Sequence, residues 1–149
     1  VVGALDRPGA PPVAPWAIRL GLGLRAELVG GVAVAGWARA VATEARAGLG
    51  LANALQAAGR PSQVDRLLRD RPAPEQVGAL IGGAAEVAMW WAAWRDVTAD
   101  VDGTDLVAAG VAPGPAIGRA LAAVRAAVLD GECGGRDAQL ALALAVARG

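Results

Sequence analysis

Apolar residues recur at intervals of three and four along most of this chain, the spacing of helices that keep one face inward. The longest such run begins at Glu75, where Val77, Leu80, Ile81, Ala84, Val87, Ala88, Trp91 and Trp94 fall on one broad arc, a core face. A second set, Ile117, Leu121, Val124 and Val128, shares one helix face and leaves Arg119 opposite. Segment 61–70 is shorter: Ser62 follows Pro61, and Val64, Leu67 and Leu68 keep helical spacing with Arg66 and Arg69 outward, until Pro72 and Pro74 break it. Residues 32–58 read as one or two helices, the break falling at Gly48 and Gly50, ended by Gly59 before Pro61. Residues 134–148 read as a terminal amphipathic helix started by Asp137.

The beginning of the chain differs. Residues 1–15 carry Pro8, Gly9, Pro11, Pro12 and Pro15, the composition of a linker or extended arm. From Trp16 to Leu24 the residues Ile18, Leu20, Leu22 and Leu24 alternate with period two, which alone says strand. Every later segment is helical, and Gly21 and Gly23 suit either state, so a poor helix is the expectation. The fold class predicted is all-α, an irregular bundle of about six or seven helices over 16–149.

Helix punctuation is densest between Asp102 and Gly131. Asp102 or Thr104 can accept from the free N–H groups of a helix beginning near Asp105, and Leu106 with Val107 gives it an inward face. Gly110 stops that helix, because only glycine enters the left-handed cap without steric cost. Pro113-Gly114-Pro115 then makes a turn, and Pro115 suits the first turn of the next helix, where its missing N–H costs nothing. Gly131 ends the second helix, the terminal helix packs on the pair, and Gly118 on its flank lets another backbone come close. The result is a hairpin of two helices around Pro-Gly-Pro.

Composition narrows the chemistry. The 149 residues amount to one domain, and 55% apolar content is ample for a core. Apolar runs between charges stop well short of the roughly 18 to 20 residues of a spanning helix, so no membrane partner is expected and the chain reads as soluble and cytoplasmic. Valine at position 1, with Met89 the only methionine, suggests a piece of something longer without a secretory signal. Cys133 alone makes no internal disulfide and fits a reducing compartment; in Gly-Glu-Cys-Gly-Gly it reads as an exposed bystander. Charge is balanced at 14 against 14, so no global field marks a nucleic-acid binder. All the positive charges are Arg, a composition bias before it is a phosphate signal. The absence of His removes the usual proton shuttle and the base of Ser or Cys triads, and with Ser62 the only serine it excludes classical hydrolase chemistry.

Two roles suit the hairpin. It packs two helices, as such turns commonly do. It also directs the positive end of the second helix, with Arg119 one turn in, toward a phosphate, the way helix-hairpin-helix modules hold nucleic-acid backbones. Trp90, Trp91 and Trp94 invite a base-stacking reading, but their spacing favours burial of Trp91 and Trp94 and leaves Trp90 open.

The residues Ser62 to Arg69, the tryptophan helix ending at Arg95-Asp96-Val97, and Asp102-Gly-Thr-Asp-Leu with Gly110, Pro113-Gly-Pro115, Gly118, Leu121 and Leu129-Asp-Gly131 carry a family resemblance. Over about residues 60–145 the chain resembles the C-terminal helical body or tail of bacterial tRNA nucleotidyltransferases, the CCA-adding enzymes and related poly(A) polymerases. The resemblance implies a non-catalytic region that binds the backbone of the tRNA acceptor arm and elbow for 3′-terminal CCA addition. It implies tRNA as partner, and an upstream catalytic head if the chain is a fragment.

Catalysis is not inherited by this segment. A nucleotidyltransferase head needs a Gly-rich turn and paired aspartates on a strand to hold two divalent ions about 4 Å apart. Asp100-Val-Asp102 has that spelling but stands between two helices, so Asp100, Asp102 and Asp105 read as caps. No Glu-Asp-x-x-Arg run and no His-Asp pair is present. Magnesium and nucleoside triphosphates are implied only for the missing head; this segment calls for no cofactor and no metal. Gly30-Gly31 and Gly82-Gly83 lack the preceding strand and following Lys of phosphate loops. The candidate RNA-binding residues are Gly114, Gly118, Arg119 and Arg125, with Arg95 outside the hairpin. The rival reading is a helical protein-interaction or dimerisation module without RNA binding, which the neutral charge and Ala-rich faces favour.

Overall fold

A computed structural model of the chain describes residues 28–29, 32–33 and 36–149. The arm expected over 1–15 and the helix expected over 16–24 lie outside the described residues. Two short strands, β1 (Leu28–Val29) and β2 (Val32–Ala33), pair antiparallel with Leu28 opposite Ala33. Seven α-helices follow among the described residues: α1 (Gly36–Gln56), α2 (Pro61–Leu68), α3 (Ala73–Ile81), α4 (Glu86–Met89), α5 (Gly103–Ala108), α6 (Pro115–Leu129) and α7 (Arg136–Arg148). The fold is all-α, and a π-turn over Trp90–Trp94 extends α4. The chain divides into two compact units. One holds the described residues as far as Gly59 with Gln63–Arg95, the other Arg60–Ser62 with Asp96–Gly149.

In the first unit α1 runs unbroken through Gly48 and Gly50, because the first of these glycines serves packing. A β-carbon at Gly48 would lie 1.9 Å from the Glu75 carbonyl oxygen of α3, and one at Gly78 would lie 1.9 Å from that of Ala45 on α1. Two hydrogens in place of two methyls thus let the helix backbones touch, and the small side chains of Ala45, Ala52 and Ala79 complete the contact zone of the core. Around it pack Leu55, Val64, Leu68, Val77, Val87 and Trp91, all buried.

The long helix expected from Glu75 to Trp94 is interrupted. After Ile81, Gly83 takes a positive φ of 99°, and the N–H groups of Gly83 and Ala84 turn back to the carbonyls of Leu80 and Ala79 at 3.0 and 3.1 Å. These bonds close α3 before α4 begins, and Ala84 goes into the core. The π-turn then moves the residues after Trp90 off α-helical register. Arg95 N–H donates to the Trp90 carbonyl five residues back, at 2.9 Å, so one turn holds an extra residue. Trp90 and Trp91 are both buried, contrary to the expectation that Trp90 stays open, while Trp94 is half-buried. Each buried indole N–H is matched: Trp90 Nε1 donates to Asp65 at 2.9 Å and Trp91 Nε1 to Gln76 at 2.8 Å. Asp65 also accepts from Arg69, and Gln76 Nε2 donates to the Arg71 carbonyl at 2.8 Å. With both indoles hydrogen-bonded inside the core, neither is available for stacking on a base.

The second unit gathers Val101, Leu106, Val111, Ala120, Val124 and Ala143 into its own core. Helices α6 and α7 lie along each other there. Helix α7 begins after Gly135, with Asp137 inside its first turn and not capping it.

Candidate nucleic-acid interface

The Asp102–Gly131 hairpin forms by the devices its sequence carries. Asp102 caps α5 by accepting from Thr104 and Asp105 backbone N–H groups at 2.8 and 3.1 Å, and Asp105 returns the favour to the Asp102 N–H at 3.0 Å. Gly110, φ 89°, ends α5, and Val111 N–H reaches the Leu106 carbonyl at 2.9 Å while both side chains enter the core. Gly131, φ 71°, ends α6 by the same pair of bonds, to Val128 and Ala127.

Between the helices, Gly114 is the extended N-cap of α6 and Pro115 its first residue. No side chain caps this end and no acid stands in its first turn. Pro115 has no N–H, and Ile117 N–H is used by the Gly114 carbonyl at 3.1 Å, which leaves the Ala116 N–H without a partner among the described residues. Arg119 lies one turn in, exposed, with no bond to another described residue. Gly118 is exposed too, and a β-carbon there would meet nothing within 4 Å. The close backbone approach expected at Gly118 is thus not made within the described chain, and its surface is open.

Of the other two candidates, Arg125 shares this helix and does not join its start. Arg125 is half-buried and already engaged within the fold, and six residues of helix put it about 120° around the axis from Arg119. Arg95 is exposed and also engaged, and it belongs to the first unit. Gly114, Gly118 and Arg119 form one patch, and Arg125 stands apart from it on the same helix.

Asp100, Asp102 and Asp105 have structural partners. Gln139 brackets Asp100, accepting from its N–H at 2.7 Å and donating to its carboxylate at 3.0 Å, so Asp100 is a clamp on α7 and not the helix cap expected of it. Arg136 donates to the Asp100 carbonyl at 2.6 Å and to the Asp105 carboxylate. No group of three potential metal ligands occurs among the described residues. Cys133 is half-buried, less open than the exposed bystander expected.

One polar cluster escaped the sequence reading. Asp130, at the end of α6, accepts from the Ser62 backbone N–H at 2.9 Å and from its hydroxyl at 2.7 Å, with Arg60 3.6 Å away. It is an N-cap for α2 supplied from 68 residues along the chain. Burial, which leaves the Asp130 side chain 8% exposed, opposes its ionisation. The two Ser62 hydrogen bonds and the Arg60 charge outweigh burial and hold the carboxyl below its ordinary value. The available signal was negative: α2 has no acid in its first turn, so its N–H groups needed an acceptor from elsewhere.

No helix among the described residues is long and apolar enough to cross a membrane. Comparisons with protein-family models, curated proteins and solved structures find no match, so the candidate interface stands on its own geometry.

Proposed function

We propose that the chain is the non-catalytic C-terminal part of a protein resembling a tRNA nucleotidyltransferase, and that it grips the backbone of the tRNA acceptor arm or elbow for 3′-terminal nucleotide addition. The carrying observation is the open N-terminus of α6: a helix end without a side-chain cap, no acid in its first turn, and an exposed Arg119, bonded to no other described residue, beside the bare surface of Gly118. A phosphate there meets the positive end of a fifteen-residue helix and a guanidinium that gives up no internal bond to reach it. Such contacts position a backbone without reading sequence.

Arg119→Glu tests this by filter binding of tRNA to the whole chain. A rise in Kd of about tenfold is expected, because one phosphate contact turns repulsive, with helix content unchanged. The unmutated chain should lose affinity as salt rises, since phosphate contacts release counterions. Absent or salt-insensitive tRNA binding defeats the reading. The helical interaction module without RNA has one observation in its favour: Arg60, Arg69, Arg71 and Arg136 are tied to carboxylates, which thins the positive surface. Self-association on sedimentation without tRNA binding is the result that selects it.

A further inference from the structure

Beside the end of α1 and the start of α2, the first unit has a shallow groove of about 250 Å³, lined by Ala54, Ala57, Ala58, Gln63, Arg66 and Leu67. Its floor is methyl groups and its polar edge comes from α2. No carboxylate lines it. Gln63 Oε1 is occupied by the Gly59 N–H at 2.8 Å, which leaves the Nε2 amide as a donor. Arg66, three residues on and so on the same side of α2, is exposed and bonded to no other described residue. Its neighbours differ: Arg60 pairs with Glu132, Arg69 with Asp65 and Arg71 with Glu75. Along this stretch the sequence neutralises every arginine except the one at the groove.

We propose that the groove seats one unpaired nucleotide of an RNA, with its phosphate on Arg66, a ribose hydroxyl accepting from Gln63 Nε2, and the flat face of sugar or base on Ala54, Ala57 and Leu67. The inference rests on the RNA-binding reading above and adds to its backbone grip a single-stranded contact. Size is compatible with this occupant: about 250 Å³ is too little to enclose a larger ligand or to seat a helix about 10 Å across, and a nucleotide laid on the open surface needs neither. Charge favours it, because the guanidinium fork matches two phosphate oxygens. An acidic side chain would satisfy Arg66 and leave the alanine floor uncovered, whereas a nucleotide covers both. With only methyl groups beneath it, the base is held without readout of its identity.

The test uses the full chain, isotope-labelled for NMR, titrated separately with an unpaired RNA hexamer, a blunt RNA duplex, adenosine monophosphate and an aspartate-rich peptide. The hexamer should shift the amide resonances of Ala54, Ala57, Gln63, Arg66 and Leu67. Arg66→Ala, and Ala54→Leu, which fills the groove from an exposed position, should each weaken the hexamer about tenfold, as loss of a charge-assisted contact does. Arg66→Lys should restore part of that loss, and duplex affinity should stay unchanged, with circular dichroism confirming that each variant folds. Hexamer affinity indifferent to both variants overturns the proposal, as does a response of these resonances to the peptide or to adenosine monophosphate but not to the hexamer. Duplex binding that depends on Arg119 while the groove stays silent overturns this inference alone. Binding of neither RNA removes the RNA reading with it.

Discussion

The two units hold their helices by different means. In the first, α1 and α3 meet backbone to backbone at Gly48 and Gly78, and buried indoles are anchored by Asp65 and Gln76. In the second, helix ends carry the specification: a reciprocal cap at Asp102 and Asp105, left-handed glycines at Gly110 and Gly131, and Asp130 and Arg136 as long-range polar clamps. The first arrangement depends on shape between distant residues and tolerates no added atom at the crossing. The second depends on separate polar devices, most of them local caps and two of them long-range clamps, so they fail one at a time and at smaller cost. In the second unit the start of α6 at Gly114 has neither a side-chain cap nor an acid in its first turn, whereas α3 and α7, also uncapped by a side chain, carry Glu75 and Asp137 there, and that start is where the candidate interface lies.

The largest effect should come from Gly78→Ala. Its new methyl would sit 1.9 Å from the Ala45 carbonyl oxygen, so α1 and α3 must separate, at a cost of about 3 kcal/mol or more. None of the five tryptophans of the sequence falls in the second unit, so tryptophan fluorescence during urea unfolding follows the first, and its transition should move first. Unchanged fluorescence unfolding would mean that the crossing is looser than the geometry shows.

Next in size is Gln76→Leu, which strips the Trp91 indole N–H of its acceptor inside the core. An unsatisfied buried donor costs about 1–3 kcal/mol, read in the same fluorescence transition.

Asp130→Ala should cost about 1–2 kcal/mol, the range of a lost helix cap, measured by urea unfolding followed by circular dichroism. The same carboxylate gives the unit an acid sensitivity of known sign. Because its folded pKa is lowered, its stabilising contribution is complete above the ordinary aspartate value of about 3.9 and disappears as pH falls through the lower folded value. Asp130→Ala should therefore flatten the acid limb of the stability profile and leave the neutral region parallel to that of the unmutated chain.

Gly110→Ala is the smallest of these changes, about 1 kcal/mol, since alanine enters the φ of 89° only with strain and nothing else crowds the site. A loss as large as that of Gly78→Ala would erase the contrast between local caps and interhelical shape.

What could be read in advance follows the same division. The hairpin was legible because its information is local: Asp102, Gly110, Pro115 and Gly131 act within a few residues of themselves, and Arg119 opposite the apolar stripe of α6 had to face outward. The break at Gly83 was missed because the apolar arc continues across it, and periodicity registers side chains more strongly than a single left-handed glycine. Trp90 was misplaced because the break at Gly83 resets the helix ahead of it, and because Asp65, 25 residues away, offers its indole N–H a buried acceptor that no helical wheel anticipates. The Asp130 clamp was missed because whether a charged side chain is free or engaged can depend on a partner far along the chain.

By itself the sequence determined the helical class, the hairpin between Asp102 and Gly131, and the outward Arg119, because spacing, caps and turns are settled over a single helical turn. Only the tertiary structure decided that Gly48 and Gly78 are a contact and not a break, that both neighbouring tryptophans go inside, that Asp130 caps a distant helix, and that Arg66, beside a groove, has no partner among the described residues. Each of those depends on which residues meet through space, and helices of Ala, Gly, Val and Leu permit many such meetings until the backbones are packed.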